Sequence, residues 1–261
     1  MTDPIYISSR DNPLLKELKR LAHGSTDYRR AGRLWAEGDH LVRAAVARGV
    51  RPDIGIFSKS YWPLAHTEYG SLASKNIVIS DHLYATLSAL ESPARMGFVF
   101  ALPATAPVQP GVGTLILDRV QDAGNVGALL RSASAFGFKQ VIALKGTAAL
   151  WASKVLRAGM GAHWGLHLHE GADLTALDTL GLPLLVTSSH RGEFLHQLLH
   201  NRALPMPCAW ALGHEGQGVC AELTARATQF VRIAQPGGEE SLNVATAAAI
   251  CLHASATVCL G

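Results

Sequence analysis

From residue 114 onward, short apolar runs alternate with stretches of helical character, and this alternation constrains the fold more than any other feature of the chain. Residues 114–117, 140–144, 182–187, 208–212 and 229–233 read as strands. Helical patterns occupy 126–136, 152–157 and about 242–258. Strands that are apolar along their length must be covered on both faces, and helices between successive strands supply the cover. The expected architecture is therefore α/β with a largely parallel sheet.

The first hundred residues form a second, smaller alternation. Asn12 is a good N-cap, and Pro13 stands at the first helical position, where its missing N–H costs nothing. Leu14, Leu15, Leu18 and Leu21 make an apolar stripe with Lys16, Lys19 and Arg20 off it, and Gly24 stops the helix. A further helix over 39–48 and strands over 53–57 and 76–80 complete a small α/β layer. Residues 101–112 hold three prolines and no charge and read as an extended linker. The expected domains are thus 1–100 and 113–261, joined by 101–112.

Of the 261 residues, 48% are hydrophobic and 16% charged, enough to bury a core and too apolar for disorder. No apolar run is long enough to span a membrane, and the N-terminus lacks a signal peptide's basic-then-apolar pattern. The four cysteines form no Cys-x-x-Cys pair and read as reduced residues, which points to the cytoplasm. The formal charge of +3 is uneven: residues 1–100 carry 13 Lys/Arg against 10 Asp/Glu, and residues 10–51 hold ten basic and five acidic side chains. That placement suits either a polyanionic partner or a mildly basic solvated surface. No Walker loop or G-x-G-x-x-G fingerprint is present. His163, His167 and His169 would share one strand face, but they lack acidic or cysteine partners at ligand spacing, so no metal is expected.

Three segments carry the candidate chemistry. In Asn125-Val126-Gly127-Ala128-Leu129-Leu130-Arg131, Asn125 stands where an N-cap belongs, and Val126, Leu129, Leu130 and Ala133 share a helix face. At about 100° per residue, Arg131 points roughly 150° from the centre of that stripe. It is free to meet a ligand or to form a weak surface salt bridge. In Leu212-Gly213-His214-Glu215-Gly216-Gln217-Gly218, three glycines follow an apolar strand and allow close backbone approach to a ligand, or a plain strand-to-helix turn. In Glu240-Ser241-Leu242-Asn243-Val244-Ala245, Ser241 is a credible N-cap for an alanine-rich helix.

In this order and spacing, the three segments resemble the signature motifs of the SpoU/TrmH family of the SPOUT superfamily, S-adenosylmethionine-dependent RNA 2'-O-ribose methyltransferases. The pattern Ser9-x-x-Asn12-Pro13-x-x-Lys16, with Glu37-Gly38 and Ser92-Pro93-x-x-x-Gly97, resembles the L30e-like RNA substrate-binding domain that many such enzymes carry. The resemblance implies a C-terminal SPOUT domain tied into a trefoil knot, a homodimer formed through that domain, and RNA as partner, rRNA more than tRNA.

It implies Asn125, Arg131, Glu215, Ser241 and Asn243 as catalytic residues. Thr187, Gly213, Gly216, Ile233, Leu242 and Asn243 are implied as the cofactor pocket. Arg131 would grip the phosphate beside the target ribose, since guanidinium is a charged planar fork suited to phosphate. Glu215 would contact that arginine or the ribose, with a structural ion pair as the alternative. His214 stands where the family usually has Asn. The competing function is a catalytically silent RNA-binding or ribosome-assembly protein on the same scaffold; a small-molecule methyltransferase suits the basic N-terminal part poorly.

Overall fold

The computed structural model describes residues 3–238 and 241–259, so Glu240 of the third segment lies outside the described residues. The chain divides into two compact units. One runs to Ala104 and also takes in Trp151–Trp164; the other comprises Thr105–Leu150 and the chain from Gly165 onward.

The first unit contains, in order, β1 (Ile5–Ile7), α1 (Pro13–His23), α2 (Asp27–Ala31), β2 (Arg33–Glu37), α3 (Asp39–Val46), β3 (Ile54–Ser58), α4 (Trp62–Tyr69), β4 (Lys75–Ile79), α5 (Asp81–Leu87) and β5 (Met96–Ala101). Its sheet has the order β1-β4-β3-β5-β2. The first three of these strands run parallel, and β5 is antiparallel to both its neighbours. The Asn12 carboxamide accepts from the Leu14 N–H at 2.9 Å and starts α1, whose Leu15, Leu18 and Leu21 are buried. The short N-terminal motifs also have structural roles. Glu37, only 5% exposed, accepts from the Ser88 hydroxyl at 2.5 Å and from the Ala94 N–H at 3.4 Å, which holds the loop before β5. Gly97 lies flat against the Trp35 ring, where any side chain would collide.

The second unit begins with β6 (Thr114–Leu117), α6 (Ala123–Ala135) and β7 (Gln140–Leu144); α7 (Ser153–Gly159) then belongs to the first unit. The chain returns with β8 (His167–Ala172), β9 (Leu184–Thr187), β10 (Glu193–Phe194), α8 (Leu195–His200), β11 (Ala209–Leu212), α9 (Ala221–Thr224), β12 (Gln229–Arg232) and α10 (Val244–Val258). Its seven strands are parallel throughout, in the order β10-β12-β9-β11-β6-β7-β8. From β6 the chain steps outward one way through β7 and β8. It then crosses to β9 and later returns to insert β11 between β9 and β6. The parallel sheet is as expected: β6, β7 and β11 are buried along their whole length. Trp210 of β11 donates its indole N–H to Ser255 of α10 at 2.9 Å inside the core.

Several sequence expectations change. The helix after β6 starts at Ala123 rather than 126, because Asp122 is its N-cap: the Asp122 carboxylate accepts from the Asn125 N–H at 2.7 Å. α10 is capped by Asn243, whose carboxamide oxygen accepts from Ala245 and Thr246 at 2.9 and 3.2 Å, and not by Ser241. His163 sits on the 3-10 turn Ala162–Gly165, so it shares no strand face with His167 and His169. All four cysteines are free thiols, and burial pushes Cys208 and Cys251 up to about 12.

Candidate active site

In an open parallel sheet, ligands bind beyond the carboxyl ends of the strands, where neighbouring connections leave in opposite directions. Here that point lies between β6, which connects towards β7, and β11 on its other side. Thr187 ends β9, Gly213 follows β11 and Ile233 follows β12, so the three expected cofactor contacts sit at the same edge of three adjacent strands.

At that edge the three segments are physically joined. The Asn243 side-chain amide donates to the Asn125 carboxamide oxygen at 2.9 Å. The Asn125 amide in turn donates to the Glu215 carboxylate at 3.1 Å. Glu215 also accepts from the backbone N–H groups of Gln121 and Asp122 at 3.3 and 3.2 Å. Asn125 must donate one way and accept the other, and its carboxamide offers both from one short planar group without titrating. Partial burial pushes the Glu215 carboxyl up, but the hydrogen bonds from Asn125, its own backbone, Asp122 and Gln121 outweigh it and hold the group below its ordinary range.

The glycine loop is braced from within and from outside. The backbones of His214 and Gly218 exchange hydrogen bonds at 3.1 and 2.8 Å. A Cβ on Gly213 would overlap the main chain of Gly218 and Val219, so this position admits glycine alone; at Gly216 the nearest atom stands 3.8 Å away, an ordinary contact. His214 closes the turn: its Nδ1 accepts from the Gly216 and Gln217 N–H groups at 3.0 and 3.2 Å. An asparagine oxygen could accept the same pair, which accounts physically for a histidine here.

Sequence reasoning missed the outer brace, Asp118 and Arg119. Asp118, 2% exposed at the end of β6, accepts from the Cys220 N–H at 2.6 Å and pairs with Arg119 at 3.0 Å. Arg119 reaches on to Gln217 at 2.9 Å and Gly218 at 3.4 Å, and the hydrogen bond to Asp118 raises its already high pKa. The only local sign was an acid followed by a base at a strand end; the partners are about a hundred residues away.

A model described as the SpoU rRNA methylase family matches residues 113–253. The chain belongs to that family. It is 28% identical to an uncharacterized tRNA/rRNA methyltransferase of Synechocystis sp., over 97% of this chain and 93% of the relative. It is 27% identical to the 23S rRNA (guanosine(2553)-2'-O)-methyltransferase RlmP of Bacillus subtilis, over 95% of this chain and 97% of the relative. The fold matches the crystal structure of the SpoU methyltransferase AviRb of Streptomyces viridochromogenes in complex with the cofactor AdoMet. That match has a TM-score of 0.83 at 20% identity and covers 96% of this chain and 99% of that one.

Within this SpoU-family site, the other expected residues are less connected. Arg131 lies on the exposed side of α6, as its helical angle predicts, and has no hydrogen bond or ion pair among the described residues. Glu215 therefore does not contact Arg131; its partners are the turn before α6 and Asn125. Ser241 and Leu242 are exposed ahead of the α10 cap. Thr187 spends its hydroxyl on the Ala211 carbonyl at 3.3 Å, a bond between adjacent strands. Gly216 contributes its N–H to His214. Gln235, just past β12, holds a buried side-chain oxygen without a partner among the described residues.

Proposed function

We infer that this protein transfers methyl from S-adenosylmethionine to a ribose 2'-hydroxyl of ribosomal RNA. The observation that carries this is the Asn243–Asn125–Glu215 chain of hydrogen bonds, which locks all three family segments into one site at the carboxyl edge of the sheet. Full-length similarity to a named 23S rRNA 2'-O-methyltransferase supports the ribose and the rRNA. The silent-scaffold alternative has no observation in its favour, since every expected site residue is present in the chain.

The residues fit the cofactor. S-adenosylmethionine carries no phosphate, so main-chain groups beside Thr187, Gly213 and Ile233, with the exposed Leu242 side chain, suit its adenosine better than a Walker-type cradle would. The unpaired Gln235 oxygen is an acceptor close to Ile233 in the chain. When bound, the cofactor supplies an electrophilic methyl group whose sulfonium loses its charge as transfer proceeds. Arg131, free on the face of α6, holds a phosphate of the substrate strand and aims the 2'-hydroxyl. Glu215 keeps Asn125 oriented and fixes the turn that leads into α6; its role is positioning. Asn243 anchors α10 and the Ser241–Leu242 approach.

The first unit would bind RNA as an L30e-like domain; the charge excess in residues 10–51 supports this. A homodimer through the second unit is supported by the exposed Ile250 and Val258 on α10, at 38% and 39% accessibility. Among the described residues, no helix is long and apolar enough to cross a membrane.

The test is transfer of labelled methyl to deproteinised rRNA from cells lacking the protein, mapped by ribose-methylation profiling, with Arg131→Ala as control. Label at a single 2'-oxygen, lost in the variant, is expected. Cofactor binding without label on either naked rRNA or assembling ribosomal particles would overturn the proposal.

A further inference from the structure

The outer edge of the seven-stranded sheet carries a second cluster that the hydrogen-bonded site does not use. β10 and β12 pair with Arg232 beside Phe194, and strand alternation puts Phe230 on the same face as Arg232. The Arg191 guanidinium lies 3.6 Å from the centroid of the Phe230 ring, and that of Arg232 lies 4.1 Å from the centroid of Phe194. Phe194 stacks in turn on His196 at 5.5 Å with an interplanar angle of 25°. Strand register thus puts Phe194, Arg232 and Phe230 on one face, with Arg191 over Phe230 and His196 against Phe194. The backbone is shaped for it: Gly192 has φ of +101° and presses so closely on the Phe230 main chain that no side chain fits there, which brings Arg191 down onto the ring. The acid in β10, Glu193, alternates to the other face and is held by the Gln229 amide at 3.1 Å.

A guanidinium lying flat on a ring keeps its N–H donors around its rim. Arg232 donates its Nε–H to the Gly192 carbonyl at 3.0 Å. Its two terminal nitrogens, and the whole Arg191 guanidinium, have no protein acceptor among the described residues. Both cations lie close in the chain to expected cofactor contacts at the carboxyl edge: Arg232 immediately precedes Ile233, and Arg191 follows Thr187, the end of β9, by four residues. Pre-positioned positive charge with open donors and aromatic faces is the chemistry that grips a ribose–phosphate strand.

We propose that the Arg191–Phe230 and Arg232–Phe194 pairs bind the phosphates of the RNA strand that flanks the target nucleotide. The proposal rests on the RNA methyltransferase function inferred above. Because phosphate contacts carry no base information, this grip is indifferent to sequence and sets the register of the strand.

The experiment measures binding of a fluorescein-labelled single-stranded RNA of mixed sequence from low to high salt, for the wild type, Arg191→Gln, Arg232→Gln and the double variant. Losing one phosphate contact should lower the slope of log K against log salt by about 0.7. That slope difference amounts to roughly fivefold weaker binding at 0.1 M salt, with the curves converging near 1 M. Arg191→Gln should bind cofactor like the wild type, and Arg191→Lys, which keeps the charge but not the flat fork, should fall between. Single variants that melt like the wild type and keep its slope would overturn the proposal: the arginines would then only cover the rings. Weaker binding with an unchanged slope would overturn it equally. A wild type that neither methylates rRNA nor binds RNA in a salt-dependent way would bring down the methyltransferase reading itself, a result distinct from the other two.

Discussion

Gly213 and Gly216 lie three residues apart in one loop, yet the structure demands opposite outcomes for the same substitution. In Gly213→Ala the new methyl would lie less than 3.0 Å from three main-chain atoms of Gly218 and Val219. Ordinary carbon contacts need about 3.5 Å or more, so the overlap is at least half an ångström, and backbone cannot rotate away as a side chain can. Relief requires opening the turn and losing the His214–Gly218 backbone pair, at about 0.5–1.5 kcal/mol per hydrogen bond. Adding the overpacking itself, about 1–3 kcal/mol, to the two lost bonds gives a total near 4 kcal/mol. If that cost falls on the bound form, cofactor affinity drops roughly a thousandfold. Gly216→Ala meets nothing closer than 3.8 Å and needs no left-handed backbone. It should be neutral, or stabilising by about 0.4–1 kcal/mol through the unfolded chain. Urea midpoints and calorimetric titration with S-adenosylmethionine measure both. Equal effects from the two variants, or a wild-type-like Gly213→Ala, would refute the steric argument.

Four further outcomes follow from the same site. Asn243→Asp keeps the helix cap but removes the donor to Asn125, so stability should stay within about 0.5 kcal/mol while methyl transfer collapses; Asn243→Ala should also lose about 1 kcal/mol in denaturation. Arg131→Lys should abolish most methyl transfer with cofactor affinity nearly intact, and loss of both together would defeat the division of labour. His214→Asn should retain activity within about twofold, because its oxygen can accept the same two amides, whereas His214→Leu should loosen the loop in hydrogen exchange. The Glu215 carboxyl is held below its ordinary range, so its stabilisation is complete above that range and is lost only as pH falls through the lower folded value. Amide exchange at Gln121 and Asp122 should therefore stay slow through the usual carboxylate range and rise below it, a dependence that Glu215→Gln removes.

The parallel sheet could be read from sequence because each central strand is apolar past its first residue, and the α1 start because Asn12-Pro13 admits one local answer. The helix starts at the site were misassigned for a physical reason. Asp122 and Asn125, like Ser241 and Asn243, are pairs of good capping residues within one turn. What decides between them is whether the second side chain is needed elsewhere or free to cap. Asn125 is needed by Glu215 and Asn243; Asn243 serves both purposes, one with its oxygen and one with its nitrogen. β2 and β8 went unassigned because each holds a polar residue, Glu37 and His169, that is buried by partners only the fold supplies. The stacked arginines were invisible for the same reason: Gly192 and Arg232 meet across forty residues of chain.

The bond between Asn243 and Asn125 spans 118 residues, and β11 enters a gap between two strands made before it. A growing polypeptide is made from its N-terminus, so Asn125 and Glu215 leave the ribosome before the residue that completes their chain. Translation then acts as a timer. On the inferred function, a partly made chain lacks part of its proposed centre until α10 has been made, even while it hangs beside the very RNA it is inferred to modify.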